Sequence, residues 1–126
     1  VAMLGLTFKP GTVDLRGAAS LVNAAILLED GARLQAWDPV GTENYKRFYP
    51  DQITYCDTIQ QAITGADVCF IFTEWEEICR LSPKVYRQLM NKPIVLDGRN
   101  CYSLPACEEA GITYISVGRR PVEAGQ

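Results

Sequence analysis

Apolar residues fall along this chain in short continuous runs, separated by stretches in which they recur at helical spacing. Val1–Leu6 is unbroken, the pattern of a strand buried on both faces. Over Ala18–Glu29, leucines, isoleucine and alanines recur with helical period, and Gly31 follows the acidic pair Glu29–Asp30 as a stop. Leu34, Ala36 and Trp37 predict a second strand ending at Asp38–Pro39, Glu43–Phe48 a short helix, and Ile53–Cys56 a third strand. Asp57 is the expected N-cap of a helix over Thr58–Ile63 that Gly65 closes. Val68–Phe72, rich in β-branched and aromatic types, is the most strand-like segment. Ser82, with Pro83 at the first helical position, opens a helix to Met90; Ile94–Leu96 predicts a buried strand ending in Asp97-Gly98-Arg99-Asn100. Leu104–Ala110 predicts a helix stopped by Gly111, and Ile112–Ser116 the last strand.

Strands alternating with helices, the strands apolar throughout, imply a parallel sheet covered by helices. The expected fold is α/β, a Rossmann-like three-layer sandwich with a mostly parallel six-stranded sheet in the order 3-2-1-4-5-6. No Pro/Gly/Ser-rich linker or internal repeat divides it, so residues 1–119 read as one domain and 120–126 as a flexible tail. Val1 already lies in strand, as in a domain taken from a longer chain.

At 126 residues the chain can bury a core without metal or disulfide support. A formal net charge of −3 argues against non-specific nucleic-acid binding, which needs clustered positive charge. No apolar run approaches a membrane span, and no signal-peptide pattern opens the sequence. The five cysteines include no CxxC pair, and with no histidine present zinc-finger and His-based acid–base readings lack support. Reduced thiols and a cytoplasmic setting are expected.

In such a sheet, ligands bind beyond the carboxyl ends of the strands where the strand order reverses, here between strands 1 and 4. The segments at that edge are "TFKPGTVDLR", "DP", "TEW" and "DGRN", and polar residues concentrate in them. The first is not a dinucleotide fingerprint, because only Gly5 and Gly11 precede the helix, at the wrong spacing for GxGxxG. It presents Lys9 as a mobile point charge, Arg16 as a planar fork, and Phe8 as an apolar face. Arg99 adds a third cation on a tight turn. Singly, each reads equally well as a surface cation, with Arg16 paired to Asp14; together at one edge of an acidic domain they suit an anionic ligand, phosphate or carboxylate. Glu74–Glu77 reads as a helix start with Trp75 over the crevice, Glu76 and Glu77 being structural. A receiver-like signalling domain would need an acidic cluster where these cations stand.

The segments "GLTFKPGTVDLR", "AWDP", "TEW", "DGRN" and "YISVGR", in this order from Val1 to about Arg119, resemble the C-terminal, UDP-binding domain of the UDP-glucose/GDP-mannose dehydrogenase family, and most closely its UDP-glucose 6-dehydrogenase branch. The resemblance implies a cytoplasmic oxidoreductase that oxidises the sugar C6 alcohol to a carboxylate in two NAD-dependent steps. It also implies a homodimer whose N-terminal domain binds most of the NAD. By motif position, Phe8, Lys9 and Arg99 would contact the UDP-sugar, and Arg16 would reach the NAD of the N-terminal domain. None of the five cysteines matches the family's catalytic cysteine, so no catalytic residue is expected in this chain and the isolated chain should be inactive. Where the family commonly reads T-D-D-x-R-E, this chain has Thr12-Val13-Asp14-Leu15-Arg16-Gly17, so Val13 and Gly17 each remove a carboxylate from the loop that orients Arg16. UDP-N-acetylhexosamine or GDP-mannose dehydrogenase domains, and a stand-alone nucleotide-binding module, are the alternative readings.

Overall fold

A computed structural model describes residues 1–6, 19–40 and 42–124. Twelve elements follow in order: β1 (Ala2–Leu4), α1 (Ala19–Glu29), β2 (Leu34–Trp37), α2 (Thr42–Lys46), β3 (Ile53–Tyr55), α3 (Ile59–Ile63), β4 (Cys69–Ile71), α4 (Glu76–Arg80), α5 (Lys84–Leu89), β5 (Ile94–Asp97), α6 (Leu104–Ala110) and β6 (Thr113–Ser116). The six strands form one parallel sheet, ordered β3-β2-β1-β4-β5-β6, as the sequence pattern implies. The order reverses between β1 and β4, which pair with Met3 opposite Phe70.

Strand alternation sorts side chains to the two faces. Ala2, Leu4, Trp37, Cys69, Ile71, Val95 and Tyr114 join one core, which Ile59, Ala62 and Ile63 of α3, Ile78 of α4, Tyr86 of α5 and Cys107 of α6 complete. Met3, Leu34, Ala36, Ile53 and Phe72 join a second core on the opposite face, closed by Ala24, Leu27 and Leu28 of α1 and Tyr45 of α2. The two faces are unequally covered. On the second face, Ile115 of β6 is 45% exposed and Val117 beyond it 62%, while Ile94 and Leu96 of β5 are half-buried. Among the described residues the three-layer expectation therefore holds over β1–β3, and the second face of β5 and β6 carries no helix.

Local chemistry explains where elements end. β1 stops short of the apolar run because Gly5 takes φ +79°, while its N–H still reaches the Trp37 carbonyl at 2.8 Å. A Cβ at Gly5 would lie 2.7 Å from Thr73 Cβ and 2.9 Å from the Thr73 nitrogen, so the ends of β1 and β4 approach closely only with glycine there. Gly5→Ala is expected to destabilise the chain by about 1–3 kcal/mol, through strain and overpacking together. A thermal-denaturation midpoint unchanged from the parent would refute that close approach. α1 ends with Gly31 at φ +84°, its N–H on Leu28 O and the Ala32 N–H on Leu27 O.

Two expected caps are displaced by one residue. Thr58, not Asp57, is the N-cap of α3: its hydroxyl accepts from Gln61 N at 3.1 Å, and Gln61 Oε1 accepts from Thr58 N at 3.3 Å. Gln61 completes a reciprocal capping box with Thr58 and also accepts from Asp57 N at 3.0 Å, although Asp57 has Gln60 at the same spacing. Pro83 occupies the N-cap of α5 rather than its first position, and Ser82 Oγ accepts only a long bond from Lys84 N, 3.4 Å. α4, the short helix at Glu76, starts where the acidic run predicts. Residues 122–124, expected within a flexible tail, are docked: Val122 is 3% exposed and exchanges both backbone bonds with Tyr114, and Ala124 N donates to Thr113 Oγ1 at 2.9 Å. An apolar side chain at Val122 closes the first core beside β6, which holds this stretch in place.

Candidate functional site

The motifs that stand apart in the sequence meet at the carboxyl edge of the sheet, and most of their polar atoms bind one another. Asp38, at the end of β2, is 5% exposed. Its Oδ2 accepts from Leu6 N at 2.7 Å and from Trp75 Nε1 at 3.0 Å, and its Oδ1 accepts from Val40 N at 2.9 Å. One buried carboxylate thus ties "DP", "TEW" and the end of the first strand together. The Leu6 carbonyl accepts from Ser20 Oγ of α1 at 2.7 Å, which anchors Leu6 from a second side. Trp75, expected to cover the crevice, is instead packed into the first core, 9% exposed, with its N–H satisfied by Asp38.

The turn after β5 uses every residue of "DGRN". Asp97 is 2% exposed, and its Oδ1 accepts from Arg99 N at 2.7 Å, its Oδ2 from Cys101 N at 2.7 Å and from Tyr114 Oη at 2.5 Å. Gly98 N donates to the Ile71 carbonyl at 3.1 Å, bringing the turn against the end of β4. Asn100 takes φ +57°, a conformation its short side chain tolerates, and clamps Val117 through both amide atoms, at 3.1 and 3.0 Å. Arg99 is then aimed across β4: its Nε donates to the Phe72 carbonyl at 2.9 Å, and Nη1 stands 3.3 Å from Glu74 Oε2. That contact is an ion pair without hydrogen-bond alignment, since Glu74 Oε2 has no hydrogen-bond partner among the described residues. The guanidinium is therefore held in position while its side chain remains 31% exposed.

Behind Asp97 lies a second tier that the sequence reading did not single out. Arg119 donates from Nη2 to Tyr114 Oη at 2.9 Å, from Nη1 to the Tyr102 carbonyl at 2.8 Å and from Nε to Ser116 Oγ at 2.9 Å. Burial pushes the Tyr114 hydroxyl above its ordinary range, and the hydrogen bond to Asp97 and that residue's charge push it the same way, so it remains a donor to the carboxylate. The closing "YISVGR" is the only local sign of this tier, and its link to Asp97 is made across strands.

Beside the turn, the ends of β4, β5 and β6 enclose an open groove of about 430 Å³, within the range of small-molecule sites. Asn23 of α1, the stacked rings of Phe70 and Phe72 (centroids 5.7 Å apart), Leu96, Gly98 and Ile115 line it. The crevice expected between β1 and β4 is thus accompanied by open space over β4–β6. Of the candidate site residues, Arg99 follows Gly98 of the groove lining and bonds the carbonyl of Phe72, another lining residue, while Phe8, Lys9 and Arg16 lie outside the described residues.

The described residues do not form a dinucleotide pocket. An acidic residue at the end of the second strand would ordinarily take the ribose hydroxyls. Here Asp38, at that position, is buried and spends its oxygens on Leu6, Val40 and Trp75.

The UDP binding domain of the UDP-glucose/GDP-mannose dehydrogenase family matches residues 2–104. The chain belongs to this family. UDP-glucose 6-dehydrogenase YwqF of Bacillus subtilis (strain 168) is 42% identical over 97% of this chain and 28% of its own length. UDP-glucose 6-dehydrogenase of Pseudomonas aeruginosa is 39% identical over 94% of this chain and 27% of its own. Among solved structures, a UDP-glucose dehydrogenase from Pyrobaculum islandicum superposes with a TM-score of 0.75 at 30% identity, over 94% of this chain and 25% of that one. A UDP-D-ManNAc dehydrogenase from Pyrococcus horikoshii gives 0.73 at 25% identity, with the same coverage. The chain thus spans about a quarter of the length of these family members. No helix among the described residues is long and apolar enough to cross a membrane.

Proposed function

We propose that the chain is the UDP-binding domain of an NAD-dependent UDP-glucose 6-dehydrogenase, the part that holds the nucleotide sugar while its C6 alcohol is oxidised to a carboxylate. The observation that carries this reading is the family match along 2–104, supported by curated relatives that are UDP-glucose 6-dehydrogenases over nearly the whole chain. Arg99 takes the anionic part of the ligand, and the 430 Å³ groove beside it suits an uncharged part, a combination a nucleotide sugar offers. Phe8 and Lys9 complete the substrate contacts. Arg16 faces NAD, which an N-terminal domain of the same cytoplasmic, homodimeric enzyme would bind, in keeping with an Asp38 that has no oxygen to spare for a ribose.

In this reading the chain's own residues bind and orient; hydride acceptance belongs to NAD on the other domain. The chain alone is expected to give no NAD reduction with UDP-glucose, and turnover by this polypeptide would overturn that division of labour. Sugar choice is tested by titrating the chain with UDP-glucose, UDP-N-acetylglucosamine and GDP-mannose. Both uridine ligands are expected to bind in preference to GDP-mannose, because the domain recognises the UDP part. Tighter binding of GDP-mannose would sink the assignment. A UDP-N-acetylhexosamine dehydrogenase is the second reading, favoured by the near-equal superposition on the Pyrococcus horikoshii enzyme.

A further inference from the structure

The ion pair between Arg99 and Glu74 is built differently from the other carboxylate contacts at this edge. Asp38 and Asp97 accept hydrogen bonds from aligned donors on both oxygens. Glu74 Oε2 is buried 3.3 Å from Arg99 Nη1 and accepts no hydrogen bond among the described residues. A carboxylate oxygen taken out of water without an aligned donor has lost solvation that charge attraction only partly offsets. The backbone around it is fixed. Thr73 before it is fully buried against Gly5, and Trp75 after it is bonded to Asp38 at 3.0 Å. The Glu74 side chain is nevertheless 39% exposed, so rotation about its own bonds carries the carboxylate into water while its neighbours stay in place. Arg99 stays aimed meanwhile, because its bond from Nε to the Phe72 carbonyl, 2.9 Å, does not involve Glu74.

We propose that Glu74 is a resident counter-ion for Arg99, which an anionic ligand must displace, and that it sets the affinity threshold for anions at this site. This role rests on the reading that Arg99 takes the anionic part of a nucleotide sugar. Only the fraction of molecules in which the carboxylate has turned away offers an unpaired guanidinium fork, and apparent affinity falls by that fraction. The factor is the same for every anion, but its consequence is not. A phosphate held by the cation alone drops out of binding range. A ligand that also fills the groove lined by Phe70, Phe72, Leu96 and Ile115 has further contacts and remains bound. Displacement is feasible because the pair is partly exposed on both sides and therefore screened, and Glu74 regains water as it leaves.

The test titrates the chain, Glu74→Gln, Arg99→Ala and the double variant with UDP and with inorganic diphosphate, following the amides of 97–101 by NMR. Glutamine keeps the shape of the side chain and removes its charge. Glu74→Gln is expected to tighten both ligands roughly three- to tenfold, and to change neither affinity in the Arg99→Ala background. Glu74→Ala, which removes the acceptor altogether, should tighten them at least as much. Unchanged or weakened diphosphate binding in Glu74→Gln would overturn the counter-ion role. An equal gain in the Arg99→Ala background would overturn it too, since Glu74 would then act through a diffuse field and not through Arg99. The ligand assignment fails separately: a chain that binds UDP no tighter than diphosphate, yet binds both more tightly as Glu74→Gln, keeps the counter-ion and loses the nucleotide.

Discussion

Arg99→Ala is expected to weaken UDP binding by about 2–4 kcal/mol, roughly 30- to 1000-fold in Kd. In an NMR titration of the chain with UDP, the saturable amide shifts around 97–101 should then disappear. The size of the effect rests on how the guanidinium is held. Its Nε is committed to the Phe72 carbonyl and the Arg99 backbone N–H to Asp97, so the side chain loses little freedom when an anion arrives. Glu74 balances the cation at 3.3 Å without aligned hydrogen bonds, and an incoming phosphate oxygen offers the geometry that Glu74 does not. Arg99→Lys supplies a useful second arm. It retains the charge but loses both the fork and the Phe72 bond, so it should recover less than half of the lost binding energy. Unaltered UDP affinity in Arg99→Ala would remove Arg99 from the site. Lysine restoring full affinity would show that charge alone is read there.

Much of this edge was legible in the sequence, for reasons that particular residues make clear. Strands β1 and β4 are flanked on both faces, so Val1–Leu6 and Val68–Phe72 appear as unbroken apolar runs, and right-handed crossovers then leave little choice of strand order. The run Ile94–Leu96 looks the same although its second face is only half-covered, because periodicity reports that a residue is apolar and not what packs on it. Arg99 could be picked out because a Gly beside an Arg after a strand marks a turn at the ligand edge. Its partner Glu74 could not, since the ion pair crosses from β5 to the end of β4 with no local pattern. The capping residue of α3 was not decided by pattern: Gln60 follows Asp57 at the same spacing as Gln61 follows Thr58, and only the folded backbone shows that Gln61 closes the box with Thr58. Trp75 carried no sign of its burial, because its acceptor, Asp38, lies 37 residues away in the chain.

The least legible feature, the Asp97 network, carries the largest expected effect on stability. Asp97→Ala should destabilise the chain by about 3–5 kcal/mol, because three donors lose their acceptor at once and Arg119 is left beside Tyr114 without the carboxylate behind it. Urea unfolding followed by tryptophan fluorescence measures this directly. Tyr114→Phe separates the contributions, since it leaves the two backbone N–H groups bound to Asp97 and removes only the hydroxyl that donates to Asp97 and accepts from Arg119 and Tyr102 N, and should cost about 1–3 kcal/mol. The two variants also differ in what they do to the turn. Losing the Arg99 N and Cys101 N bonds frees the segment that aims the guanidinium, so Asp97→Ala should weaken UDP binding even at temperatures where it remains folded. Tyr114→Phe should leave that binding within a few-fold of the parent. Equal losses of stability in the two variants would mean that the hydroxyl, and not the pair of backbone bonds, carries the network. Asp97→Ala with parental UDP affinity would mean that the turn holds Arg99 in place without the carboxylate, through the Gly98–Ile71 and Asn100–Val117 contacts alone.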